Sequence, residues 1–389
     1  MADKTPNEIL KEQLCYAKKN ALVECDDATI AEAFGFCDGY KKFLDAARTE
    51  REAVTEVVRL AKENGYVEFD DKATYKAGDR IYYNNRGKAV ILSVIGTSPV
   101  ENGVKIAAAH IDSPRLDLKP NPLYESDGIA LFKTHYYGGI RKYQWATIPL
   151  ALHGVVIKAN GESVNIAIGD EEGDPVFVIT DLLPHLAQEQ SKRTLSDGIR
   201  GEELNVVIGS KPVSKDNESY LVKLNILKML NDKYGIVEED FLSAELEIVP
   251  AYKTKDIGFD RSLIGAYGHD DRVCAYPSVM AHFDVTNPVE TTVTVLADKE
   301  EIGSDGNTGL NSSYLKYFVH RLAEMQGGTG EIALSNSKCL SADVNAAYDP
   351  TFSDVFERKN ACFINSGACI TKYTGARGKS GSSDASAEF

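Results

Sequence analysis

No stretch of this 389-residue chain approaches the roughly 18 consecutive apolar residues that a membrane-spanning helix needs. Positive charge is in short supply: 43 Lys and Arg stand against 58 Asp and Glu, a formal net charge of −15. That balance excludes sequence-independent binding to nucleic acid or anionic lipid, both of which need basic patches. The first residues, MADKTPNEILKEQLCYAKKN, contain no apolar core of a secretory leader. Seven cysteines (15, 25, 37, 274, 339, 362 and 369) are scattered and form no Cys-x-x-Cys. The expectation is a cytoplasmic protein with reduced, mostly buried thiols and no zinc-finger chemistry. No internal repeat is visible. The segment from Gly375 to Ser383 has the composition of a phosphate loop but not its spacing, because Tyr373 stands where the first glycine is needed. It reads as a glycine- and serine-rich loop.

What is present is ample material for a core: apolar residues make up 43% of the chain and charged ones 26%, as in ordinary globular proteins. The length leaves room for two domains. The first 64 residues read as helical. Asp26 or Asp27 can cap a helix through Ile30, Ala33, Phe34 and Cys37. From Tyr40 to Lys62 the apolar residues keep helical spacing, with Glu50, Arg51 and Glu52 on the solvent side and Gly65 ending the helix. Strands Arg80–Tyr83 and Ala89–Val94 flank a hairpin turn at Asn84–Gly87. Val104–Ala109 is a short buried strand.

From 116 to 249 prolines and glycines punctuate β-prone runs such as Leu150–Lys158 and Ser163–Ile168. An acidic turn at Asp170–Pro175 and one helix, Val222–Tyr234, complete a separate β-rich domain. Beyond 250 the α/β pattern returns, with a helix at Val273–Phe283, a strand at Thr291–Ala297 and a helix at Ser312–Glu324. Short strands are expected at Lys338–Asp343 and Ala361–Ile364. Residues 1–115 and 250–389 are thus expected to form one α/β domain interrupted by an insertion at 116–249.

Three acidic or histidine clusters follow buried-strand patterns: His110-Ile-Asp112, Asp298-Lys-Glu-Glu301, and Asp343. A fourth, His269-Asp270-Asp271, opens a helix. In open α/β sheets ligands sit beyond the carboxyl ends of strands, so all four converge on one rim. Each alone reads as a surface turn or a helix cap. Together they offer the histidine nitrogen and carboxylate oxygens that zinc takes. Two such ions clamp a water and polarise a carbonyl, and a free glutamate can accept the water's proton and pass it to a leaving amine.

The blocks Tyr40-Lys-Lys-Phe-Leu, Thr49-Glu-Arg-Glu-Ala53, Ala109-His-Ile-Asp-Ser-Pro-Arg115, Tyr137-Gly-Gly-Ile140, Leu183-Pro-His-Leu-Ala187, Lys299-Glu-Glu-Ile-Gly-Ser304 and Ser341-Ala-Asp343 run through nearly the whole chain. With them the sequence resembles the aspartyl aminopeptidases, the M18 family of dinuclear-zinc exopeptidases. The resemblance implies a mixed-sheet α/β catalytic domain with a β-rich dimerisation domain at 116–249. It implies His110 and Asp343 on one zinc, Asp270 bridging both ions, Glu301 on the second, Glu300 as general base and Asp112 orienting His110. Asp271 stands where relatives have asparagine, which leaves open which of the two aspartates bridges. His185 matches a histidine that reaches a neighbouring subunit's site, and family members assemble as dodecamers. The implied substrates are peptides with an N-terminal Asp or Glu, with Lys372, Arg377 and Lys379 as candidate partners for the acidic side chain. Zinc is the implied metal, though the same ligand types suit manganese or cobalt.

The family's last metal ligand, a histidine in a Ser-Met-His-like motif, has no counterpart, since no histidine follows His320. The expectation is a chain shortened at its C-terminus, with one metal site short of a ligand and little activity at this length. Two other readings stay open: a dinuclear-metal N-acyl amidohydrolase, and a non-catalytic assembly subunit of the same fold.

Overall fold

The computed structural model describes residues 4–216, 218–373 and 386. Two compact units emerge: Tyr40–Asp343, and Met1–Gly39 with Val344–Phe389. In the smaller unit, α1 (Pro6–Leu14) starts from a capping box in which Thr5 and Glu8 satisfy each other's backbone N–H. A short α2 (Ala21–Glu24) is capped by Asn20, and α3 (Asp27–Ala46) starts where the Asp26 carboxylate accepts the Thr29 N–H at 2.8 Å. The strand expected at Ala361–Ile364 is absent; a single bridge pairs Cys362 with Ala347. The expectation for the cysteines also fails. Cys362 and Cys369 form a disulfide, their Cα atoms 6.3 Å apart, within the usual span of such a bridge. Of the other five, Cys15, Cys25 and Cys339 are exposed and Cys37 and Cys274 half-buried. Cys15 and Cys25 end short helices that bury nothing, so no core is there to receive them.

In the larger unit the helix expected from 40 to 62 is broken. α3 ends at Ala46 and α4 (Glu50–Glu63) starts afresh, capped by Thr49, whose hydroxyl accepts the Glu52 N–H. The Glu52 carboxylate accepts the N–H groups of Arg48 and Thr49 in return. The break turns Glu50 inward. Rather than facing solvent it is fully buried, 3.0 Å from the Lys88 ammonium and 3.2 Å from the Arg115 guanidinium. Burial disfavours its charge, but Arg115 and Lys88 outweigh this and hold its pKa at about 2.

Strands β1 (Val67–Glu68), β2 (Arg80–Asn85), β3 (Ala89–Val94) and β4 (Lys105–His110) begin the first sheet. Arg86 and Gly87, with φ of 62° and 69°, make the tight β2–β3 turn. Next come β5 (Arg115–Ser126), β6 (Ile129–Tyr137), β7 (Leu150–Ile157), β8 (Ser163–Ile168), β9 (Val178–Ile179), β10 (Val206–Gly209), α5 (Leu221–Tyr234) and β11 (Glu245–Pro250). These strands form an antiparallel sheet in the order β8-β7-β11-β5-β6-β10-β9. Its β5–β6 register shifts between Leu118 and Leu123, around Pro120 and Pro122, which cannot donate to a ladder. A small ribbon of β12 (Lys255–Ile257) and β13 (Leu263–Gly265) precedes α6 (His269–Phe283). The chain then returns to the first sheet with β14 (Thr292–Ala297), α7 (Tyr314–Met325), α8 (Gly330–Asn336) and β15 (Lys338–Ser341).

The first sheet has the order β1-β2-β3-β14-β4-β15, with β14, β4 and β15 mutually parallel. Alternate residues of β3 enter different cores. Val90, Leu92 and Val94 pack with α3, α4 and α6, while Ala89 and Ile91 pack with α7 and α8. Helices therefore cover both faces, and the architecture is mixed α/β as expected.

Asp170 does not simply cap an exposed acidic turn. His153, buried in β7, lies between Glu52 at 2.8 Å and Asp170 at 3.1 Å. Burial opposes its protonation, but Asp170 and Glu52 outweigh it and raise its pKa to about 9. A histidine raised above its unfolded value of roughly 6.5 contributes stability that is fully present below that pH and lost as pH climbs through the folded value. The shift corresponds to roughly 3 kcal/mol. Urea unfolding at pH 6 and pH 10 should show wild type losing about that much more than His153→Gln. Equal pH slopes in the two proteins would dismiss this assignment.

Candidate metal centre and active site

The parallel strands explain the convergence. His110 is the last residue of β4 and pairs in register with Ala297, the last of β14. Just past β14, a left-handed Lys299 (φ 69°) starts a short 3₁₀ turn at Glu300–Ile302. Asp343 lies two residues beyond the end of β15. Asp270 and Asp271, joined by a cis peptide bond, open α6 in a non-helical conformation. The carboxyl ends of three neighbouring strands and one helix start thus meet on one rim.

There, His110 Nε2 lies 3.1 Å from an Asp270 oxygen, 3.8 Å from Glu300 and 3.9 Å from Asp343. Two triads have ligand atoms within 4.8 Å of one another: His110 with Asp270 and Glu301, and His110 with Asp271 and Asp343. Asp270 therefore groups with Glu301, and Asp271 with Asp343, whereas the resemblance implied Asp270 beside both. Asp270, Glu300 and Asp343 are open to solvent, with side-chain exposures of 52%, 48% and 61%. His110 and Asp271 are buried.

This crowd of carboxylates is electrostatically incomplete. Burial pushes Asp271 up to about 7. Burial and then the neighbouring Asp270 charge push Glu301 up to about 7. Burial also raises Glu300. His110 is driven to about 11: its burial opposes this, but hydrogen bonds to Asp112 and Asp270 prevail. Oε1 of Glu301 meets no hydrogen-bond donor among the described residues, and the Asp271 carboxylate faces the Cys274 thiol and the His110 main chain, neither of which closes a full hydrogen bond. Buried carboxylate oxygens without donors beside a histidine nitrogen are what a divalent cation satisfies. One imidazole and several carboxylates fit zinc.

The other face of His110 is fixed. Its Nδ1 faces the Asp112 carbonyl at 3.0 Å and the Asp112 carboxylate at 3.3 Å. A proton on Nδ1 frees the Nε2 lone pair for a metal. Asp112, fully buried, also accepts the Tyr137 O–H at 2.7 Å and the N–H groups of Glu300 and Glu301 at 3.2 Å each. Burial would raise its pKa, but these bonds, led by those to His110 and Tyr137, keep it low. Burial and the Asp112 charge drive the Tyr137 phenol upward, so it stays a donor.

The structure thus brings together His110, Asp112, Asp270, Glu300, Glu301 and Asp343. His185 is not with them; it is exposed, after β9. Lys372 is exposed, and Arg377 and Lys379 lie outside the described residues. Tyr137 belongs to the Tyr137-Gly-Gly motif, but no local pattern marks it as part of the site, and none marks the buried Glu50–Lys88–Arg115 cluster.

Residues 43–388 match the model of the aminopeptidase I zinc metalloproteases (M18). A probable M18 family aminopeptidase 1 of Clostridium acetobutylicum is 48% identical over 99% of this chain and 83% of its own. The crystal structure of an M18 aminopeptidase from Thermotoga maritima is 45% identical and superposes with a TM-score of 0.90, over 96% of this chain and 82% of its own. A structure described as the S. cerevisiae mApe1 dodecamer shares the fold at 20% identity, with a TM-score of 0.67 over 84% of this chain and 75% of its own. The chain belongs to the M18 family of zinc aminopeptidases.

Proposed function

We propose that this aminopeptidase removes an N-terminal Asp or Glu from peptides, using two zinc ions per chain. The observation that carries the reading is the position of His110 Nε2 amid Asp270, Glu300 and Asp343, with Glu301 and Asp271 beside them. His110 and Asp343 would hold one ion, Glu301 the other, and Asp270 would be shared. When bound, zinc supplies a Lewis acid that polarises the peptide carbonyl and acidifies water. Glu300, half-open to solvent and raised in pKa by burial, would take the water's proton and deliver it to the leaving amine. Asp112 would hold the His110 ring. The acidic preference rests on the resemblance to aspartyl aminopeptidases.

Self-assembly belongs to the same proposal. Every strand of the seven-stranded sheet falls within 115–250, which supports 116–249 as an inserted dimerisation domain. His185 is flanked in the chain by exposed Leu182, Leu183 and Leu186, apolar surface that a second copy would cover. His185 would serve the neighbour's site. The test is a zinc-loaded preparation assayed on Asp-, Glu-, Leu- and Ala-peptides and on their N-acetylated forms, with its mass measured by light scattering. Asp and Glu peptides with free amines should turn over fastest, in an oligomer, and His185→Ala should lose turnover while keeping its zinc. Faster cleavage of Leu peptides would refute the acidic preference, cleavage of N-acetylated peptides alone would favour an amidohydrolase, and a monomer of full activity would refute the shared site.

A further inference from the structure

We propose that Tyr137 is a positioning residue for the metal centre: its hydroxyl fixes the Asp112 carboxylate, which holds both the His110 ring and the backbone presenting Glu300 and Glu301. The inference rests on the metallo-aminopeptidase reading of that centre. Asp112 touches three parts of the site. Its Oδ1 lies 3.3 Å from His110 Nδ1 and accepts the Glu300 N–H at 3.2 Å. Its Oδ2 accepts the Glu301 N–H at 3.2 Å and the Tyr137 O–H at 2.7 Å. The tyrosine bond is the shortest of these, and it comes from the antiparallel sheet rather than from the strand ends that carry the site.

The tyrosine is itself held. It ends β6, is buried, and its ring centre lies 3.9 Å from the Arg115 guanidinium. That guanidinium is anchored by Glu50 and Glu247, each at 3.2 Å. The next residue, Gly138, has φ of 75°, and a Cβ there would come 3.2 Å from both Cβ and Oε2 of Glu301. The Tyr137–Gly138 step therefore bounds the site twice, by a hydroxyl through Asp112 and by bare backbone against Glu301. Without the hydroxyl, a buried carboxylate oxygen keeps only one main-chain donor, and Asp112 is free to turn.

Tyr137→Phe, Asp112→Asn and the double variant test this, with the unliganded fold checked by circular dichroism. Zinc affinity is read by competition with a chromogenic chelator, and ligand geometry by the visible spectrum of the cobalt-substituted protein. Tyr137→Phe should weaken zinc binding by about tenfold, the low end for loss of a partner behind a metal ligand. It should alter the cobalt spectrum and lower kcat at saturating zinc with KM changed less than about twofold. Added to Asp112→Asn it should change zinc affinity little further, because its effect runs through Asp112. Additive losses in the double variant would overturn the proposal, as would a Tyr137→Phe protein with the zinc affinity and cobalt spectrum of wild type. If Tyr137→Phe does not fold, Tyr137→His, which restores a donor on a ring, must bind zinc more tightly than Tyr137→Leu; equal affinities overturn the proposal. A wild-type chain that binds no zinc would fail the underlying reading instead.

Discussion

Glu300→Gln is expected to lower turnover of a good peptide substrate by at least about two orders of magnitude, the usual scale for loss of a general base. Zinc content should stay near wild type. The carboxylate is half-exposed and lies 3.8 Å from His110 Nε2. Glutamine keeps its size while removing the proton acceptor. Because the Glu300 N–H bonds Asp112 through the main chain, that contact survives the substitution. The loss should therefore fall on kcat, with KM close to wild type. Metal analysis beside steady-state kinetics decides the matter: full activity with full zinc would remove Glu300 from the mechanism, and lost zinc would make it a ligand.

The second large effect concerns the paired aspartates. Asp270 carries the carboxylate nearest to His110 Nε2, at 3.1 Å, and shares a triad with Glu301. Asp271 shares one with Asp343. If Asp270 is the shared ligand, Asp270→Asn weakens both ions and exposes their charges to each other. Its zinc affinity should fall by well over about tenfold, more than follows from loss of a partner behind a ligand. Asp271→Asn should have the smaller effect. Equilibrium dialysis with elemental analysis on both variants gives the order, and the reverse order would move the shared position to Asp271. Both variants should also lower activity, since each disturbs the groups around Glu300.

The sequence alone placed most of the larger elements and the rim on which the site lies. The β2–β3 hairpin follows from Asn84–Gly87, where residues able to adopt positive φ separate two β-prone runs. The buried runs at 104–109 and 291–297 each lead into charged residues, and a parallel sheet brings the ends of such runs together whatever else the chain does. Local periodicity and strand polarity therefore sufficed to bring the four clusters to one rim, and the resemblance singled out His110, Asp270, Glu300, Glu301 and Asp343 within them. What only the tertiary structure decided is who stands behind them. Helical spacing continued through 47–49 and placed Glu50 in solvent, because it counts apolar residues and cannot see that Lys88 and Arg115 will neutralise a buried carboxylate from other strands. The same blindness hid the pairing of His153 with Glu52 and Asp170, and the disulfide of Cys362 with Cys369. Asp112 was legible as the partner of His110, two residues away. Its bond to Tyr137, from another sheet, was not. Burying a charge is feasible only when opposite charges and donors arrive from distant parts of the chain, and their arrival is a property of packing that no local pattern records.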